Sequence, residues 1–292
     1  MSVYGGIETG GSKWECAVGT GPNDIRAAET IPTTAPDETI GRAVAFFARN
    51  ERVDALGIGS FGPIDVRPGS PTWGFVTSTP KPGWAHTDVA GELGRQLSLP
   101  VAFDTDVNAA ALGEHRWGAA RGLETFCYVT VGTGIGGGAM VGGRLVHGLV
   151  HPEFGHLRVP HDRAVDPFPG ACPYHGDCWE GLAAGPAIEA RWGLPATELD
   201  DEHAWALVAR YLALGLVAVI SILSPERILV GGGIVATRPR LLARVREDVV
   251  ALVNGYLETD ALRGGIETYI AAPALGPRAG VLGAIAVAAT VA

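Results

Sequence analysis

One stretch of seven residues, Cys172-Pro-Tyr-His175-Gly-Asp-Cys178, carries three soft or borderline ligands at equal three-residue steps. Thiolate sulfur and imidazole nitrogen are donors that zinc favours, and a Gly/Pro-rich loop can bring them round one point. His156, upstream of Cys172, can supply a fourth ligand; His151, His161 and Asp177 are substitutes for it. A Cys₂His₂ set leaves no position open for water, so the metal would be structural. It would clip the loop from Glu153 to Glu180 and set those two carboxylates. The competing reading is a surface loop with incidental cysteines and histidines.

Two glycine clusters point to anion binding. The first lies in Gly5-Gly-Ile-Glu-Thr-Gly-Gly-Ser-Lys13, the second in Val129-Thr-Val-Gly-Thr-Gly-Ile-Gly-Gly-Gly-Ala139. Without a Cβ in the way, backbone N–H groups can close on a phosphate. The first cluster fails the Walker pattern because Ser12 precedes Lys13. Gly132, Gly134 and Gly137 satisfy G-x-G-x-x-G formally, but the chain continues as strand, and no helix dipole lies beneath a pyrophosphate. Each cluster alone could be a hairpin turn. Two of them, each with a hydroxyl (Ser12, Thr133), suit a polyphosphate gripped from both sides.

Asp106 follows the strand-like Val101–Phe103 and precedes a helix, at the edge where open α/β sheets bind ligands. A carboxylate there can take a proton from a substrate hydroxyl. A helix N-cap is the competing role, and Asp104 is a competing candidate.

These groups need a frame. The spacing predicts a strand–turn–strand unit over each glycine cluster, helices over 40–48, 89–97 and 109–117, strands over 53–60 and 101–103, and a turn over 104–106. Strand and helix alternation with a hairpin opening each half argues for an α/β fold in two related halves, divided as 1–119 and 120–292, the last helix being free to pack back on the first half. The 292 residues are 47% hydrophobic and 18% charged, enough to bury a sizeable core. Lys+Arg 22 against Asp+Glu 31 leaves a net charge of -9, a poor match for nucleic acid. Residues 204–223 and 281–292 are strongly apolar and read as buried helices rather than membrane spans. Cys16 and Cys127 read as inert core thiols, His147 as structural or solvated, and no leader is recognisable, so the cytoplasm is expected.

The glycine clusters and the segment reaching His156 resemble the signature of the ROK sugar kinases, and within that family the zinc-containing bacterial fructokinases. Ser60-Phe-Gly-Pro-Ile-Asp65, Thr79-Pro-Lys-Pro-Gly-Trp84, Asp106-Val-Asn-Ala-Ala-Ala-Leu-Gly-Glu114 and Cys172–Gly181 carry the same resemblance, which runs from Gly5 to about Gly283. It implies an actin-like ATPase (ribonuclease H-like) fold, two α/β lobes with a catalytic cleft between them. It implies Asp106 as the catalytic base, and Gly62, Pro63, Thr79, Asn108, Glu153, His156 and Glu180 as sugar contacts. Gly10, Gly11, Ser12, Lys13, Gly132, Thr133 and Gly134 would hold the phosphates of ATP. Pro225, Gly232, Gly276, Pro277, Arg278, Ala279 and Gly280 would lie near the adenosine. Mg²⁺ would bridge the phosphates, with Glu8 or Asp106 reaching it directly or through water.

Two departures from the related glucokinases, Thr105 in place of Asn and His175 in place of a middle Cys, favour fructose. Phosphorylation of D-fructose to fructose 6-phosphate by a homodimer is therefore expected, with a helix-turn-helix repressor arm excluded because Gly5 already lies in the phosphate loop. Mannose, glucose or N-acetylmannosamine are alternative substrates, and a non-catalytic sugar sensor is the alternative from another class.

Overall fold

The structure, a computed structural model, describes residues 2–292. β1 (Tyr4–Thr9), β2 (Lys13–Gly21) and β3 (Asp24–Pro32) form an antiparallel meander. α1 (Pro36–Arg49), β4 (Ala55–Ser60), a ribbon of β5 (Phe75–Val76) and β6 (Thr87–Asp88), α2 (Val89–Leu97), β7 (Val101–Thr105) and α3 (Asp106–Trp117) follow. The sheet order is β3-β2-β1-β4-β7, with β1, β4 and β7 parallel.

A second sheet begins with the hairpin β8 (Phe126–Val131) and β9 (Ile135–Val141), edged by β10 (Arg144–Leu145). Then come α4 (Trp179–Ala183), α5 (Gly185–Trp192), α6 (Glu202–Leu223), β11 (Arg227–Gly231), α7 (Gly233–Thr237), α8 (Pro239–Val253), α9 (Asp260–Arg263), α10 (Ile266–Tyr269) and β12 (Ile270–Ala271). Its order, β10-β9-β8-β11-β12, repeats the first sheet strand for strand: a meander and then parallel strands. The chain ends in α11 (Ala279–Ala288). One compact unit holds residues 1–122, 145–152 and 274–292; the other holds 123–144 and 153–273.

In the first unit β4, Ala-Leu-Gly-Ile-Gly-Ser, is buried at every position, as a parallel strand covered on both faces must be. α11 lies across β1 and β4 and packs along α3. Gly57 permits this, because a Cβ there would overlap the Ala284 carbonyl. α11 is apolar on every side, as a helix enclosed by protein should be. The opposite face is filled by Trp14, Trp84, Phe46 and Leu93.

In the second unit α6 is the one helix among the described residues long and apolar enough to cross a membrane, yet half of its most apolar window is buried. It packs on α8 and α4, with Val208, Leu212, Leu216 and Val219 facing inward. That half of the apolar run is accounted for by this unit's own core.

Three local readings change. The expected turn at 104–106 is absent: β7 continues through Thr105 and α3 starts at Asp106, because the Thr105 hydroxyl caps the helix by accepting from Asn108 N at 3.0 Å. α1 begins at Pro36, ahead of its first apolar residue, since proline is well suited to a first helical turn. β3 and the β5–β6 ribbon carry too little unbroken apolar alternation to be read as strands in advance.

Candidate active site and metal cluster

Three parallel strands of the first unit end in one row. Thr9 pairs with Ser60, and Ser60 pairs with Thr105. Beyond each partner the chain leaves the sheet as a predicted functional segment: Gly10–Lys13 after β1, Gly62–Pro63 after β4, and Asp106 after β7. Within this unit the phosphate-loop candidate, two of the sugar-contact candidates and the base candidate therefore share the carboxyl edge where α/β sheets bind ligands. The row is tied by side chains as well. Thr9 Oγ1 donates to Ser60 Oγ at 3.0 Å, and Phe61 N donates to Thr9 Oγ1 at 3.2 Å.

The first loop is a tight turn. Gly10 N donates to Lys13 O at 2.9 Å, while Thr33 reaches in from β3's end, with its hydroxyl on Gly10 O at 2.7 Å and its N–H on Ser12 O at 3.0 Å. Gly11, Ser12 and Lys13 stay exposed. Lys13 Nζ lies 2.6 Å from Glu15 Oε1, a hydrogen bond that raises the ammonium pKa and keeps the cation beside the turn. Glu8, at the end of β1, accepts the Val281 N–H in the first turn of α11. Burial, with Glu15 nearby, pushes its carboxyl up to about 7 despite the Lys13 cation. A carboxylate beside this turn is the hard oxygen donor that suits Mg²⁺.

Asp106 is the first residue of α3, and its Oδ1 accepts from Val107 N at 2.9 Å. The capping duty that competed with a catalytic role falls on Thr105 instead. Asp104 is buried at the end of β7; its Oδ1 accepts from Thr105 N at 2.7 Å and Asn108 Nδ2 at 2.9 Å. Asp104 is thus committed inside the protein, which separates the two carboxylates that spacing alone left equal. Gly276–Gly280 enter and begin α11 in this same unit. Thr79 lies before Trp84, whose ring is wedged between Trp14 at 5.5 Å and Phe61 at 5.8 Å.

In the second unit His156, Cys172, His175 and Cys178 converge, with one ligand atom from each and all four within 4.8 Å of one another. His156 Nδ1 lies 3.8 Å from Cys172 Sγ and 3.5 Å from Cys178 Sγ; His175 Nδ1 lies 3.6 Å from Cys172 Sγ. Zn–S and Zn–N bond lengths at tetrahedral angles give an S···N edge of about 3.5 Å, so the cluster has the dimensions of a zinc site. Burial, followed by Cys172 alongside, pushes the Cys178 thiol up to about 11. A coordinated cation would deprotonate it.

The substitutes for His156 are engaged elsewhere. His161 Nδ1 meets Asp177 Oδ2 at 3.1 Å, and His151 Nε2 accepts from Ile64 N at 3.1 Å in the first unit. Asp177 also takes Arg163 and Arg158, each at 2.7 Å. His161 first, then Arg163, hold its carboxyl down at about 2.

The second glycine turn is braced by two of its own elements. Gly185 N, opening α5, donates to Gly132 O at 2.8 Å, and Ile135 N donates to Glu180 Oε2 at 2.9 Å. One oxygen of the predicted sugar contact Glu180 is therefore spent on the second glycine turn. Glu153 lies at the head of the short helical turn carrying His156, and burial together with Glu180 raises its carboxyl pKa. Thr130 pairs with Gly231, so Gly232 leaves the same edge as Gly132–Gly134. Pro225 precedes β11 and stands at the opposite end of that strand, which does not bring it together with Gly232.

Three relationships were not anticipated: the Glu8–Val281 contact, the Thr105 cap, and a bond from Asp104 to His147. The first and last join residues far apart in the chain. The T-D-x-N spacing of 105–108 did carry a signal for the cap.

The chain matches the ROK family profile over residues 4–291. A fructokinase of Zymomonas mobilis is 44% identical over 98% of this chain and 96% of its own. A fructokinase of Lactococcus lactis is 40% identical over 94% and 92%. Among solved structures, the ROK hexokinase of Thermus thermophilus aligns with a TM-score of 0.78 at 28% identity, covering 99% of this chain and 98% of that one. A ROK family glucokinase of Streptomyces griseus, in complex with glucose and AMPPNP, gives 0.78 at 26% identity over 99% of both chains.

Proposed function

This chain belongs to the ROK family and has the actin-like ATPase fold of its sugar kinases, and from that premise we propose that it is an ATP-dependent fructokinase, transferring the terminal phosphoryl group of ATP to the 6-hydroxyl of D-fructose. The observation that carries the reading is the row Thr9–Ser60–Thr105, which sets Gly10–Lys13, Gly62–Pro63 and Asp106 along one sheet edge. Identity to fructokinases of 40 to 44% over nearly the whole chain supports fructose as the acceptor.

Phosphoryl transfer passes through a loose transition state, so the protein mainly positions groups and neutralises charge. Asp106 accepts the hydroxyl proton as the oxygen bonds to phosphorus, and ADP departs. Gly10 N–H and Gly132 N–H close their own turns, and the N–H groups of Gly11–Lys13 and Thr133–Gly134 hold phosphate oxygens, with Lys13 adding a positive charge. Glu153, Glu180 and His156 read sugar hydroxyls, together with Asn108, Thr79 and Gly62–Pro63. Gly232 and Gly276–Gly280 serve the adenosine.

Glu8 would hold Mg²⁺ through water, and the ion when bound supplies charge neutralisation on the phosphates. His156, Cys172, His175 and Cys178 would hold Zn²⁺, which supplies a cross-link in the loop between Glu153 and Glu180 and no chemistry. A homodimer in the cytoplasm is the assembly this reading carries, tested by light scattering at micromolar concentration.

The test is initial rates of ADP release with ATP, Mg²⁺ and fructose, glucose, mannose or N-acetylmannosamine in parallel. A kcat/KM for fructose about tenfold above the rest supports the reading. Leadership by another sugar moves the substrate and keeps the kinase. Turnover on none of them favours the sensor.

A further inference from the structure

We propose that His147 is a further sugar-contacting residue, oriented by Asp104, and that it helps select the acceptor; this rests on the sugar-kinase reading above. Residues 145–152 pack with the first unit rather than with the sheet they leave. They dock at two histidines. His151 Nε2 accepts the Ile64 N–H at 3.1 Å, just beyond β4, and His147 Nε2 lies 2.9 Å from Asp104 Oδ2, at the end of β7. β4 and β7 are neighbours, so both anchors sit on the edge that carries Gly62–Pro63 and Asp106.

The bond to Asp104 does more than hold a loop. Asp104 has 6% of its surface exposed and is itself fixed by Thr105 N and Asn108 Nδ2, so it is a rigid carboxylate behind an imidazole. Such a partner sets which ring nitrogen carries the proton and where the other one points. The same bond lifts the His147 pKa above its ordinary value, so donation from Nε2 to Asp104 is the stable arrangement. The ring is 41% exposed, and its Nδ1 has no partner among the described residues. A half-open imidazole with one nitrogen committed presents the other to a ligand.

A second observation points the same way. Asn108 is fully buried one turn into α3; its Nδ2 serves Asp104 and lies 3.5 Å from His147 Nε2, yet its Oδ1 accepts no hydrogen bond in the protein. Buried oxygens are rarely left so, and each calls for a donor. A polyhydroxylated acceptor supplies hydroxyls for both atoms.

The experiment compares wild type, His147→Ala and His147→Gln in the holoenzyme, with each sugar of the panel and with ATP as the varied substrate. His147→Ala should raise KM for the preferred sugar about tenfold, the cost of one lost hydrogen bond to a partly charged group, and change the ratios between sugars. ATP KM should stay within about twofold and the melting temperature within about 2 °C. His147→Gln, which can still donate to Asp104 and offer an acceptor, should recover part of the loss. A sugar KM within about twofold of wild type in a folded His147→Ala enzyme overturns the inference. Equal losses on every sugar accompanied by a fallen melting temperature overturn it too, since they mark a scaffold role. Wild type in the same plates reports separately on the kinase reading: preference for a sugar other than fructose corrects that reading and leaves the His147 comparison intact on the preferred sugar.

Discussion

Gly280 is the space that the Glu8 carboxyl occupies: a Cβ at 280 would overlap it, and the Glu8 side chain accepts the Val281 N–H from the next residue along. The end of β1 is thereby locked to the first turn of α11. Glu8 takes a stabilising position for an acidic group at a helix N-terminus. The price is a carboxyl whose pKa is about 7.

Gly280→Ala should therefore expel Glu8 from its place while leaving the rest of α11 helical. Loss of kcat by about a hundredfold is expected, the scale of a positioning error of an ångström, with a raised Mg²⁺ requirement. Kinetics at several Mg²⁺ concentrations check this, and an unaltered Mg²⁺ requirement speaks against Glu8 as an indirect ligand.

Glu8→Gln isolates the cost of the charge. The carboxyl is raised from 4.5 to about 7 in the fold, so the native state binds the extra proton, and its stability falls as pH climbs through that window. Glutamine has no such charge. The variant should gain on wild type as pH rises from 4.5 to about 7 and hold a constant gain above it, on the order of 3 kcal/mol or several degrees of melting temperature. Thermal melts across pH 4.5 to 8 test it; a gain independent of pH would contradict the burial of Glu8.

Asp106→Asn should lower kcat by about 10²- to 10⁴-fold, the range for loss of a general base, and leave ATP KM within about twofold. Thr105, which does the capping, remains, so the helix should not suffer. A near-normal kcat would remove Asp106 from the chemistry.

Metal analysis of the purified protein should find about one zinc per chain. Cys178→Ser should lose the metal and lower the melting temperature, because metal-binding energy is folding energy where the site does not exist in the unfolded chain. Sugar and ATP KM should both rise, since Glu180, two residues on from Cys178, braces the second glycine turn through Ile135 N. A metal-free protein with full activity and an unchanged melting temperature would end the zinc assignment.

Much of this was legible in advance where chemistry and spacing coincide within one segment. The ligand stretch 172–178, the two glycine turns and the strand-to-helix passage at 106 are each local, and their residue types have few other uses. The repeated sheet order could be anticipated because each half opens with the same hairpin. Less legible were relationships between distant segments. Nothing in the sequence joins Glu8 to Val281, or His147 to Asp104, because loop docking depends on how the chain returns to the first sheet. Asp104 and Asp106 show the limit at short range. Two residues apart, they differ by burial and partners: one is bonded inside by Thr105 and Asn108, and the other begins a helix capped by its neighbour.

The most direct test of the central claim is the product itself. Purified protein with ATP, Mg²⁺ and fructose is coupled to phosphoglucose isomerase and glucose 6-phosphate dehydrogenase, which register fructose 6-phosphate as NADPH and do not respond to fructose 1-phosphate. The account predicts NADPH formed in step with ADP, and neither product from Asp106→Asn on the same timescale. ADP release without NADPH, or equal rates with Asp106 replaced, would contradict it.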